Sequence, residues 1–124
     1  MKFEDFSPTP PEKVLLVASL IKDRVICDLG SGDGAWMKEM SEFASKADGI
    51  EIDPKYTTSP KDFFDEDLSG YEILYMNTND DGGQELGKKL KKDNWRGLVI
   101  TYGQPLFKDH QPDETRETFL VYKL

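Results

Sequence analysis

The sequence predicts an α/β domain built around a doubly wound, mostly parallel sheet. Apolar runs of strand length alternate along the chain with segments of helical periodicity. The first run, Val25 to Leu29, leads directly into three alternating glycines, Gly30, Gly32 and Gly34. A second, Gly49-Ile50-Glu51-Ile52, carries an acid seventeen positions after Gly34. Doubly wound sheets that bind ligands at the carboxyl ends of their strands share this order of strand, glycine turn, helix and acid-bearing strand.

Each element has its own signal. Pro8, Pro10 and Pro11 precede a helix expected from about Glu12 to Lys22, opening at Thr9 or Pro10, with Val14, Leu15, Val17, Ala18 and Ile21 on its apolar face. Val25 to Leu29 is the first strand. Ala35 to Lys46 is expected as the helix after the glycine turn, with Trp36, Met37, Met40, Phe43 and Ala44 at core spacing. Gly49 to Ile52 is the second strand and Tyr71 to Met76 the third. Gln84 to Lys92 is a helix, Leu98 to Tyr102 a strand, and Thr118 to Lys123 the last strand. No repeat, low-complexity tract or linker divides the 124 residues, so one domain, 1–124, is expected.

Composition bounds the function. A hydrophobic fraction of 37 % indicates a folded chain. The formal net charge of −8 argues against nonspecific attraction to nucleic acid or to an anionic membrane, leaving room only for a local basic patch. No nucleic-acid or membrane partner is expected. The cations Lys88, Lys89, Lys91, Lys92 and Arg96 read first as a solvated helix face. Cys27 is the only cysteine and lies in an apolar strand, which excludes an internal disulfide and a thiolate metal site. No metal site is expected. With neither a long apolar segment nor a signal-peptide pattern at Met1-Lys2-Phe3-Glu4-Asp5, a cytoplasmic setting is expected.

The glycines point to a nucleoside cofactor. Gly30, Gly32 and Gly34 leave no Cβ between backbone and ligand, and Glu51 can accept hydrogen bonds from both hydroxyls of a ribose. Gly30, Gly32 and Ala35 also satisfy the dinucleotide pattern. Asp28 and Asp33 weigh against that reading, because carboxylates at the turn would repel a pyrophosphate. Asp28 suits the cationic ammonium of a methionine instead, so S-adenosylmethionine is favoured over NAD. A glycine turn with no ligand is the alternative to both. Asp62-Phe63-Phe64 can read adenine, the carboxylate accepting from the exocyclic amine while the next backbone N–H donates to the ring. His110, the only histidine, reads as a surface-loop residue.

Together, Pro8-Thr9-Pro10-Pro11-Glu12, Asp28-Leu29-Gly30-Ser31-Gly32-Asp33-Gly34, Gly49-Ile50-Glu51-Ile52-Asp53-Pro54, Asp62-Phe63-Phe64 and Asp67-Leu68-Ser69 resemble the class I S-adenosylmethionine-dependent methyltransferases, which have a Rossmann-like fold. Within them the chain is most similar to small archaeal and bacterial proteins related to protein-lysine methyltransferases. The resemblance implies Asp28 and Gly30 at the methionine end of the cofactor, with Gly32 and Gly34 completing the turn. It also implies Glu51 at the ribose, Asp62 and the Phe63 backbone at adenine, and Ile52 against the base. Thr9 would lie in the loop over the cofactor carboxylate, and Asn77-Thr78-Asn79 would face the methyl acceptor, a lysine on a protein or another amine.

Only Lys55 to Lys61 separates Pro54 from Asp62, where this family has a further helix and strand. The sheet is therefore expected to end at the second strand or at a short extended remnant with Thr57 and Thr58. A second copy or a partner subunit would cover that edge. Asn77-Thr78-Asn79 is also more polar than the apolar or aromatic stretch of the lysine-modifying relatives. Two other readings follow: a domain that binds the cofactor or S-adenosylhomocysteine without transfer, and an interaction protein that keeps only the fold.

Overall fold

The computed structural model describes residues 9–77 and 80–124. Six strands form one sheet among these residues: β1 (Val25–Leu29), β2 (Lys46–Ile50), β3 (Ile73–Met76), β4 (Leu98–Tyr102), β5 (Glu114–Arg116) and β6 (Phe119–Lys123), in the order β2-β1-β3-β4-β6-β5. The four strands β2, β1, β3 and β4 run parallel, and β6 runs antiparallel to both of its neighbours, β4 and β5.

The near-continuous apolar composition of β1, β3 and β4 follows from burial on both faces. Alternation sends Ile26, Ile73, Tyr75 and Ile100 to one face, where they meet Val14, Val17, Ile21, Trp36 and Met40. Cys27, Leu29, Leu74, Met76 and Val99 take the other face with Phe63, Leu68, Leu86, Leu90 and Trp95. Burial pushes the Cys27 thiol up to about 12, so it serves as a small apolar side chain.

The expected helix from Glu12 to Lys22 is instead a 3-10 segment, Pro11–Leu16, followed by the short α1 (Ala18–Ile21). Three residues per turn align Val14 with Val17, both buried, and Val17 N–H donates to Val14 O at 3.0 Å. The next helix, α2 (Ala35–Ser41), ends well before Lys46, and β2 begins at Lys46 rather than Gly49. Pairing with β1 sets that start, since Lys46 lies opposite Val25. Glu51 and Ile52 fall beyond the strand because the Glu51 carboxylate captures the Asp53 N–H at 2.8 Å and turns the chain. β3 begins at Ile73, two residues later than expected, and β6 at Phe119. The hairpin strand β5 carried no sequence signal.

The extra helix and strand between β2 and Asp62 are absent, as expected, and the sheet ends at β2. Thr57 and Thr58 form no strand. The segment folds back on itself instead, and Lys61 N–H donates to Glu51 O at 2.9 Å.

The helix α3 (Asp80–Lys92) begins four residues before the expected Gln84, taking in the Gly82-Gly83 pair that reads as a breaker. Contact explains it. A Cβ on Gly83 would lie 2.7 Å from Pro105 O, and one on Gly87 would strike Leu106 O. The two glycines, one turn apart, let α3 lie directly on the 104–107 backbone. Gly87→Ala should therefore destabilise the protein by about 1–3 kcal/mol through overpacking. Gly70→Ala, whose Cβ would meet nothing within 4 Å, should change stability by less than about 0.5 kcal/mol. Urea denaturation of the two variants checks the contrast.

Candidate functional site

At the carboxyl end of β1 the chain must reverse within a few residues and leave room above the turn. Gly30, Gly32 and Gly34 have φ values of 82°, 56° and 81°, a region that side chains disfavour. Gly30 N–H donates to Ile50 O at 2.7 Å, which fixes the turn against the end of β2. A Cβ at Gly30 would meet no atom within 4 Å, so open space lies above it.

Glu51 joins the two sides of this turn. Its Oε1 accepts from Gly32 N–H at 2.7 Å and its Oε2 from Asp53 N–H at 2.8 Å. A carboxylate has about four acceptor positions, so each oxygen keeps one for a ligand hydroxyl. Glu51, Gly32 and Gly34 line a cavity of about 350 Å³ together with Tyr56, Thr57 and Lys61. Asp62 and Phe63 are not part of this lining. Asp62 stands at the start of the 3-10 turn Phe63–Asp65 rather than at a strand end, and its Oδ1 accepts from Phe64 N–H at 3.0 Å. The Phe63 ring is buried in the core. The Lys61 N–H to Glu51 O bond ties the residue that precedes Asp62 to the acid-bearing end of β2. Ile52 is half-buried.

Asp28 is buried at 3 % exposure, and no lysine or arginine pairs with it among the described residues. Loss of hydration, and secondly the negative charge of Glu51, raise its carboxyl to about 8. It is thus held largely protonated at neutral pH. A cation brought to this position would reverse that balance.

Next to Asp28 in the sheet stands Tyr75. Its hydroxyl bonds the Thr9 hydroxyl, and Thr9 Oγ1 also accepts from Asn77 Nδ2 at 3.0 Å. Gln104 Nε2 reaches Asn77 Oδ1 at 3.5 Å. Burial holds the Tyr75 phenol well above its ordinary range, so it is a neutral hydrogen-bonding group. The ends of β3 and β4 thereby carry a polar chain of Thr9, Tyr75, Asn77 and Gln104. Gln104 Oε1 and Trp36 Nε1 are buried with no hydrogen-bond partner among the described residues. Thr78 and Asn79, expected beside Asn77, lie outside the described residues.

Sequence reasoning missed Tyr75 and Gln104. Tyr75 had a usable signal, because alternation places it on the same face as Asn77. Gln104 had none beyond its position two residues after the end of β4.

No protein-family model and no curated protein matches the chain. Solved structures do. An RNA methyltransferase from Salinibacter ruber, in complex with S-adenosyl-L-homocysteine, superposes with a TM-score of 0.76 at 22 % identity, over 94 % of this chain and 91 % of that one. The chain has the class I methyltransferase fold. A candidate methyltransferase of Escherichia coli, yhhF, superposes with a TM-score of 0.67 at 18 % identity, covering 97 % of this chain and 88 % of that one. The Pyrococcus abyssi tRNA (uracil-54, C5)-methyltransferase, also in complex with S-adenosyl-L-homocysteine, gives 0.61 at 16 % identity, over 91 % of this chain and 37 % of that one. Identities this low show a common fold.

The raised Asp28 carboxyl has a sign that can be measured. The native state holds this proton up to about pH 8 whereas the unfolded chain releases it near 3.8. Over that window the native state binds more protons, so this group makes stability fall as pH rises. Asp28→Asn should flatten the decline of melting temperature between those two pH values. An identical slope in wild type and variant would show that Asp28 ionises normally.

Proposed function

We propose that the protein is an S-adenosylmethionine-dependent methyltransferase acting on an amine. The observation that carries this reading is the pair of buried carboxylates at one glycine turn. Glu51 has acceptor positions left for a ribose diol, and Asp28 has no cation beside it among the described residues to stabilise its charge. A methionine ammonium supplies that cation, whereas a dinucleotide pyrophosphate would bring a third negative group. The open space above Gly30 fits a ligand lying against the backbone. The S-adenosyl-L-homocysteine bound in the Salinibacter and Pyrococcus proteins is support of the same kind.

In this reading Asp28 and Gly30 hold the methionine end, and Glu51 the ribose. Ile52, Asp62 and the Phe63 backbone hold the adenine, with Gly32 and Gly34 shaping the turn. When bound, the cofactor supplies a methyl group already made electrophilic by its sulfonium. The protein's task is then mainly alignment of the acceptor. Thr9 and Asn77 are tied together at the end of β3, and the buried Gln104 Oε1 is an acceptor that an amine N–H would satisfy. Thr78 and Asn79 follow Asn77 in sequence and belong to the same proposed acceptor group. The protein-lysine acceptor suggested by the sequence resemblance draws no support from the similar structures, two of which are RNA and tRNA methyltransferases. The acceptor proposed is an amine, without restriction to protein.

Calorimetric titration with S-adenosylhomocysteine tests the site. Binding is expected, and Glu51→Ala should weaken it by about 1.5–3 kcal/mol, the scale for hydrogen bonds to a charged group. A tighter complex with NAD, or an affinity indifferent to Glu51, would overturn the assignment.

A further inference from the structure

The opposite end of the sheet carries a second cavity, of about 430 Å³, unconnected in the chain with the glycine turn. It lies where α3 ends and β4 begins, and the chain returning from β4 along α3 closes its other wall. Lys91, Trp95, Arg96, Phe107, Asp109 and His110 line it. Its size is within the range of small-molecule sites.

Its chemistry differs from that of the rest of the protein. In a chain of net charge −8, this end gathers Lys88, Lys91, Lys92, Arg96 and Lys108, all exposed. None of the five has a carboxylate within 4 Å among the described residues; Lys89, by contrast, pairs with Asp93 at 2.9 Å. The acids of α3 that precede them, Asp81 and Glu85, lie in the first half of the helix, so its cations are gathered at one end and not interleaved with those acids. Lys91 Nζ stands 4.6 Å from the centre of the Phe107 ring, which holds this ammonium at the cavity wall. His110 meets Phe107 edge-on at 5.5 Å. His110 is itself exposed, and its ring shares the cavity lining with Lys91 and Arg96.

Flat aromatic surface next to unpaired cations matches a base linked to a phosphate. An acidic peptide would use the cations and leave the rings idle, and an apolar peptide would leave the cations unused. We propose that this cavity is a second binding site that takes a nucleotide of a single-stranded nucleic acid. The base lies against His110 and the Phe107 wall, and the flanking phosphates lie at Lys91 and Arg96. The site is electrostatically local, which reconciles nucleic-acid binding with the overall negative charge. It is independent of the proposed methyl transfer and stands whether or not the glycine turn binds a cofactor.

Fluorescence anisotropy with a labelled oligouridylate at low salt provides the test, with S-adenosylhomocysteine affinity measured in parallel. Wild type should bind the oligonucleotide. The double variant K91Q/R96Q should bind on the order of tenfold more weakly, with the slope of log affinity against log salt reduced by about one for each cation removed. His110→Ala should weaken binding about fivefold or more while leaving the salt slope unchanged. Both variants should keep the wild-type melting temperature and the wild-type affinity for S-adenosylhomocysteine, since these residues are exposed and remote from the turn. The proposal is overturned if oligouridylate fails to bind, if K91Q/R96Q binds it equally, or if polyglutamate displaces it as readily as unlabelled oligouridylate. Displacement by S-adenosylhomocysteine would place the oligonucleotide at the glycine turn and likewise overturn it.

Discussion

The bridge from Glu51 to the backbone of Gly32 and Asp53 is the interaction on which the functional end of this protein depends. It fixes the glycine turn against the end of β2, stops that strand at Ile50, and directs the following segment back so that Lys61 can bond the Glu51 carbonyl. With a helix and strand absent from this side, no strand among the described residues supports the turn from outside β2. A single carboxylate accepting two backbone N–H groups takes over that role. The same anion adds to the burial that raises the proton affinity of Asp28, so the structural bridge also contributes to the electrostatics of the proposed cofactor site.

Asp28 and the polar chain beyond it show how the sheet organises the site from its interior. Alternation in β1 and β3 sets Asp28 and Tyr75 side by side on the face covered by the N-terminal segment, and Thr9 bonds the Tyr75 hydroxyl. Thr9 then ties Asn77, at the end of β3, to the loop above it. The core aromatics Trp36 and Phe119 support Tyr75 from the same face, at ring distances of 5.3 and 6.4 Å. Packing and chemistry are thus continuous: a change in the aromatic cluster would be felt at the hydroxyl that holds Thr9.

Much of this was legible in the sequence because local and global signals agree there. β1 and β4 appear within the expected bounds, and the loss of a helix and strand after β2 is visible as a mere shortage of residues. The glycine turn and Glu51 were readable because positive φ and a strand-end acid leave fixed residue types. The rest depended on tertiary contact. The early end of α2 follows from strand register, the early start of α3 from a glycine pair that lies on a neighbouring backbone, and the 3-10 segment from the three-residue spacing of Val14 and Val17. The β5–β6 hairpin turns at Glu117-Thr118, with Glu117 at φ 52°, and lacks the Asn or Gly that marks such turns. Gln104 was invisible because its meaning lies in a partner 27 residues away.

The placement of β6 has a consequence for how the chain reaches this structure. β6 lies between β4 and β5 in the sheet yet follows both in the chain. While the protein is being synthesised, β5 therefore has no strand to join, and the outer edge of β4 stays open until Phe119–Lys123 has emerged. The parallel strands β1 to β4 can assemble earlier, but only through contacts distant in sequence, which form slowly. During that interval the buried side chains of β4, Val99 and Ile100, border an unpaired edge, the kind of surface on which nascent chains associate wrongly. The second strand of the hairpin acts as a latch, and completion of the sheet waits on a strand made after both of the neighbours it joins.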